Sequence, residues 1–175
     1  YSSSDVAAVA VSEVSEFLNL LNVNPFHRVQ IYDIRVDISN KGDYIITEKI
    51  TYDFLEGDFS TAYREITDRS LDNLEFISLD GLGTVIESKK IEETNDSLII
   101  NWSYPKTEDS AEFIIKYRSN RALSSSDEKN ILDFKIIEEG WDVPLRDIDI
   151  NIYFPENVSG IIAEPANDVE VKNSS

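Results

Sequence analysis

The sequence predicts a mainly β fold, an antiparallel β-sandwich of immunoglobulin-like or jelly-roll-like type, preceded by an N-terminal helix. Three observations carry this. From Arg28 onward the apolar residues recur with period two. Short β-branched and aromatic runs then follow one another with Gly, Asn, Asp, Ser or Pro between them. No helical pattern of about 10–15 residues alternates with these runs, which argues against a parallel sheet of βαβ units.

The elements follow in order. "SSSD" offers a helix N-cap before an apolar row at Val6, Ala10, Val14, Phe17 or Leu18, and Leu21. That spacing is close to 3.6, and Pro25 ends it. Residues 1–24 are therefore expected to form a helical segment, lying across the sheet or trailing from its edge. "RVQIYDIRVDIS" sets Ile34, Val36 and Ile38 on one face, "NKGD" is a turn signal, and "YIITEKITYDF" sets Tyr44, Ile46, Glu48, Ile50, Tyr52 and Phe54 on one side. The two runs read as a long antiparallel hairpin. Further strands are expected at "LEFISLD", "TVIESKKIEE", "SLIINWSY" up to Pro105, "AEFIIKYRS", "ILDFKII", "RDIDINIYF", "GIIAEP" and "DVEVK". "ALSSSDEKN", Ala122 to Asn130, reads as the most loop-like interior segment. The expected division is 1–24 helical, 25–165 β-sandwich, and 166–175 a strand end or linker.

Composition narrows the function. The 175 residues suit one domain, and 41% hydrophobic residues argue against global disorder. The 34 acidic and 16 basic residues give a formal net charge of −18. Nucleic acid is an unsuitable partner, because phosphate contacts need a positive face. An anionic lipid surface would repel most of the domain. With no cysteine, disulfide scaffolds, zinc–thiolate sites and thiol catalysis are excluded for this chain. No run approaches the roughly 20 apolar residues of a membrane span. The start at Tyr1 and the end in "NSS" suggest a piece of a longer protein, with any signal or membrane segment outside it.

Candidate chemistry is sparse. His27 is the sole histidine, so a paired-histidine metal site is impossible within the chain, and a Ser–His–Asp triad would have to use it. A glycosidase needs two carboxylates flanking a cleft, but among 34 acids a favourable pair arises by chance. "DFLEGDFS", with Asp53, Glu56 and Asp58, and "SLDGLG", with Asp80 beside glycines, are acidic loops that could bind calcium or simply be solvated. Metal binding stays open and no cofactor is expected. Four N-x-[ST] triplets begin at Asn95, Asn101, Asn157 and Asn173. They agree with an exterior location, though a glycan on Asn101 would sit within a strand.

Two further stretches hold the residues singled out as structural anchors or recognition groups: Tyr63, Arg64, Glu65 and Trp141. In "FSTAYREI", an arginine at a strand end can pair bidentately with a carboxylate, and a tyrosine can bury its ring while its hydroxyl stays bonded. The stretch reads as a loop folding back onto the sheet, tied by Arg64 to a neighbouring strand, or else as a recognition surface. Trp141 lies between Gly140 and Pro144, where the chain must turn. It either plugs the end of the core or stacks on a sugar.

"ITEKITYDF" followed by "FSTAYREI", and then "YRSNRAL" and "DEKNILDFKIIEEGWDVPLRDIDINIYFP", resemble in order and spacing the N-terminal module of a prokaryotic predicted-membrane-protein family, domain of unknown function 2207. The resemblance covers about Val29 to Pro155. Thr67 stands where the family often has proline, and the segment before Val29 is not part of the pattern. The resemblance implies an extracytoplasmic β-sandwich joined to membrane-spanning helices outside this chain, and no catalytic residue. The expected function is a non-catalytic module that binds or senses an envelope component or protein partner. The alternatives are a carbohydrate-active envelope enzyme using a carboxylate pair, and a structural spacer or oligomerisation module.

Overall fold

The computed structural model describes residues 6–10, 27–39, 41, 43–54, 58–67, 73–94, 97–120, 124–126, 129–133, 145–155 and 159–164. Twelve strands lie among them: β1 (Val6–Ala10), β2 (His27–Ile38), β3 (Tyr44–Phe54), β4 (Phe59–Ile66), β5 (Glu75–Leu82), β6 (Ser88–Glu93), β7 (Leu98–Thr107), β8 (Ser110–Ser119), β9 (Ser124–Ser126), β10 (Lys129–Asp133), β11 (Leu145–Tyr153) and β12 (Ser159–Glu164). A five-stranded sheet has the order β11-β2-β3-β8-β5, and a three-stranded sheet the order β4-β7-β6. Backbone pairing also joins β12-β1-β10-β9.

The β2–β3 hairpin is the spine of the larger sheet. Its antiparallel register runs from His27 opposite Phe54 to Ile38 opposite Tyr44. Ser39 closes the turn: its hydroxyl accepts from the Lys41 and Asp43 amides, and its amide donates to the Asp43 carbonyl. On β3 burial alternates strictly, with Tyr44, Ile46, Glu48, Ile50, Tyr52 and Phe54 facing inward. Tyr32, Ile34, Val36 and Ile38 of β2 face the same way. The three-stranded sheet supplies Ile66, Leu98, Ile100, Trp102 and Tyr104 to the same core.

The two sheets meet through aromatic rings. Phe113 of β8 lies 5.2 Å from the ring of Trp102 and 4.9 Å from that of Tyr104, both on β7. Phe54 stacks on Phe59 of β4 at 4.5 Å. Such contacts between sheets bury large rings on both sides and fix how the layers sit.

Several expectations change. The expected N-terminal helix is not shown: Val6–Ala10 is a strand, parallel to both β10 and β12, and the rest of 1–24 lies outside the described residues. A five-residue apolar run has too few residues for its period to separate strand from helix, and neighbouring backbones satisfy it here. The sheets are mostly but not wholly antiparallel, since β11 pairs parallel with β2. Those strands are far apart in sequence, so no short hairpin dictates their direction. β7 continues through Pro105 to Thr107. Pro105 faces the register shift between Phe59 and Thr61 of β4 and lies beyond the last β6 pair at Ser103. At such an irregularity the ladder does not need the missing N–H. Within "ALSSSDEKN", Ser124–Ser126 pairs antiparallel with β10. The backbone pairing of Ser126 with Lys129 sets this polar run against a strand-forming one. "DVEVK" lies outside the described residues.

Candidate functional site

The inner face of β3 is apolar except at Glu48, which is fully buried. The β-sheet register explains what surrounds it. Glu48 lies opposite Ile34 on β2 and Ile115 on β8. Tyr32 pairs with Ile50, and Tyr117 pairs with Ile46, so both tyrosines are diagonal neighbours of Glu48 on the inward face. Diagonal positions lie about 7–8 Å apart, within reach of long side chains. Tyr117 accordingly donates its hydroxyl to Glu48 Oε1 at 2.8 Å.

The cation comes from the opposite sheet. "FSTAYREI" is itself strand β4, at the edge of the three-stranded sheet, and not a loop. The run satisfies its backbone by pairing with β7, Arg64 opposite Ile100. Its pleat sends Arg64 inward with Ile66, leaving Tyr63 and Glu65 exposed. Arg64 donates from Nε to Glu48 Oε2 at 2.9 Å and from Nη2 to Oε1 at 3.0 Å, a bidentate fork. Nη2 also donates to the Tyr32 hydroxyl at 3.3 Å, and Nη1 to the Glu65 carbonyl at 2.5 Å.

The electrostatics follow from burial and this pairing. Burial is the largest single influence and would lower the Arg64 pKa, but the Glu48 charge and hydrogen bond together with the neighbouring Tyr32 and Tyr117 outweigh it and hold Arg64 well above its ordinary value. Burial drives the Tyr117 hydroxyl well above its ordinary value, with the Glu48 charge adding to it. Tyr32 is raised likewise by burial, against the opposing pull of Arg64. The cluster therefore holds the Arg64 cation against Glu48, with two neutral phenols beside them. It joins the sheets, because Arg64 of β4 bonds Glu48 of β3 and Tyr32 of β2.

The other anticipated residues scatter. Tyr63 is 49% exposed, and Trp141 lies outside the described residues. His27 begins β2. Asp58 forms an ion pair with Lys106, whose hydrogen bond holds its carboxyl below the usual range. Asp80 is exposed on β5, where the following glycines serve the backbone: a Cβ on Gly81 would meet the Thr84 carbonyl oxygen at 2.5 Å, and Gly83 has φ +76°. Among the described residues no group of three or more His, Asp or Glu is placed to hold a metal ion. Asn101 is exposed in mid-strand, while the other three triplet asparagines lie outside the described residues. Glu48 was the residue whose partner the sequence did not reveal. A lone carboxylate in an apolar period-two row was its signal.

The family model described as "Predicted membrane protein (DUF2207) N-terminal domain" matches residues 28–174. The chain belongs to this family. The match runs past Pro155 into the segment expected to end the last strand. No curated protein matches the chain. Among solved structures, the M1 zinc metallopeptidase of Deinococcus radiodurans, as its E323A mutant bound to Tyr-ser-ala, is similar with a TM-score of 0.38 and 15% identity, over 58% of this chain and 22% of that one. Yeast leukotriene A4 hydrolase with bestatin is similar with a TM-score of 0.34 and 13% identity, over 61% of this chain and 17% of that one. The chain thus spans about a fifth of these proteins, and likeness at this level carries nothing about activity. Among the described residues no helix is long and apolar enough to cross a membrane.

Proposed function

We propose that the chain is an extracytoplasmic β-sandwich module of a membrane-anchored protein, non-catalytic, which binds or senses a component of the cell envelope. One observation carries the reading. The deeply buried charges among the described residues, Glu48 and Arg64, are engaged with each other. A catalytic acid or base must reach substrate, and these two are engaged by one another, by their tyrosines and by the Glu65 carbonyl. Membership in a family described as predicted membrane proteins supports the anchor, carried by segments outside this chain. The net charge of −18 supports a module standing off an anionic bilayer.

The test is a thermal-shift series on the whole chain with calcium and with neutral and acidic envelope oligosaccharides, each mixture then analysed chromatographically for cleavage. A ligand that binds only the folded state raises stability by about 2.7 kcal/mol at a hundredfold excess over its Kd. A raised melting temperature with intact ligand is expected. Released fragments would replace this reading with a hydrolase, and no shift with any ligand would replace it with a spacer.

A further inference from the structure

The outward face of the three-stranded sheet is a small grid fixed by register. Tyr63, Asn101 and Lys90 stand side by side across β4, β7 and β6. The row above them is Thr61, Ser103 and Ser88, all hydroxyls. Adjacent strands lie about 4.8 Å apart, so each row spans roughly 10 Å. The Tyr63 ring is half exposed at one end, and Asn101 is exposed at the centre. Ser88 and Ser103 bond each other at 2.7 Å. Among the described residues the Asn101 amide and the Thr61 hydroxyl have no hydrogen-bond partner, and Lys90 pairs along its own strand with Glu92.

The outer face of the larger sheet is different. There Lys49 pairs with Glu112, Thr51 bonds Glu112, Arg118 pairs with Glu75, and Arg35 grips Asp37 while lying over the Tyr153 ring. Those charges are paired within the face. These two rows instead present an amphipathic ring beside an amide and hydroxyls, with Lys90 their one charge, and the next row on the same face is Glu65, Ile99 and Glu92.

We propose that this face binds a neutral oligosaccharide, the ring of Tyr63 stacking on one sugar while Asn101 and Thr61 hydrogen-bond its hydroxyls. Charge selects the partner. A polyanion meets the field of a chain at −18 and the Glu65 and Glu92 carboxylates of the next row, and a cationic peptide would meet Lys90 and neutral hydroxyls in these two rows. A neutral polyol is indifferent to that field and needs the donors, acceptors and ring face that the grid offers. The inference rests on the binding-module reading and names the ligand class and the face.

The experiment is amide chemical-shift mapping of the whole chain against β-linked hexasaccharides of glucose and of N-acetylglucosamine, repeated with Tyr63→Ala, Asn101→Ala and Tyr153→Ala. The expected result is perturbation confined to β4, β7 and β6, weakened about tenfold or more by Tyr63→Ala and unchanged by Tyr153→Ala. The amide spectrum of each variant shows whether it is folded, and Asn101→Ala provides a second probe of the same row. Perturbations elsewhere, or an unchanged affinity in both grid variants, would overturn the assigned face while leaving the module reading standing. The absence of perturbation by either sugar at millimolar concentration would overturn the ligand class.

Discussion

Arg64–Glu48 and Arg35–Asp37 are the same chemical pair in opposite surroundings. Both are bidentate. Arg35 donates from Nε and Nη2 to Asp37 at 2.7 Å each, slightly closer than Arg64 to Glu48. Side-chain exposure separates them, 53% and 38% for the outer pair against 5% and 1% for the inner one. Distance alone would rank the outer pair first. Burial reverses the ranking, because water and salt screen the outer charges while the inner ones rely on the partner and a few neighbouring protein groups. The two pairs also differ in what they join. Arg35 and Asp37 lie on one strand, whereas Arg64 and Glu48 lie on different sheets.

The largest expected effect comes from unpairing the inner charges. Glu48→Leu leaves the Arg64 charge buried without its counter-ion, and Arg64→Met does the reverse. Each is expected to lose about 3–5 kcal/mol in urea denaturation. The double variant Glu48→Leu with Arg64→Met removes both charges together. It is expected to lose less than either single variant, the remaining penalty arising from the Tyr117 and Tyr32 hydroxyls that lose partners. Losses in the double variant equal to the sum of the singles would show that the two residues act independently, and the bridge between sheets would be wrong.

Alkali probes the same region through its phenols. Burial raises Tyr32, Tyr117 and Tyr52 well above the ordinary tyrosine value and pushes Tyr104 up to about 12. In the unfolded chain these groups ionise near pH 10. The folded state therefore holds more protons above that pH, and stability falls as pH rises. Below about pH 10 their contribution is complete. Above it, each withheld ionisation steepens the decline by about 1.4 kcal/mol per pH unit, up to its folded pKa. Chemical denaturation at stepped pH from 8 to 12 measures this. A flat profile across that range would mean that the four phenols reach solvent in the native state.

Much of the larger sheet was legible in the sequence, and the reason is physical. On β2 and β3 one face is buried and the other wet, so alternation in the chain copies alternation in space. Even Glu48 fell on its correct side. Its partner was not legible, because Arg64 approaches from the other sheet and no local spacing encodes that distance. "FSTAYREI" misled for a related reason. Ser60, Thr61, Tyr63 and Glu65 are polar, and an edge strand with one buried charge has little apolar alternation to display. The first strand and β9 were hidden more completely, since both depend on backbone pairing with distant segments. The grid on the three-stranded sheet is legible only from register. Tyr63, Asn101 and Lys90 are far apart along the chain and adjacent only once β4, β7 and β6 pair.

The smallest effect is expected from the outer pair, and it sharpens the comparison most. Asp37→Asn removes the carboxylate charge opposite Arg35, yet Arg35 stays solvated and still lies 4.0 Å from the centre of the Tyr153 ring. Hydration replaces most of what the carboxylate supplied, so the denaturation midpoint should fall only slightly below that of the parent chain. Raising the salt concentration should weaken even the small residual difference, because exposed charges are screened. The inner pair should respond to the same salt far less. A clear loss of stability in Asp37→Asn at low salt would mean that the strand holding Arg35 depends on its own surface pair. Proximity, more than burial, would then govern what a charge pair contributes in this fold.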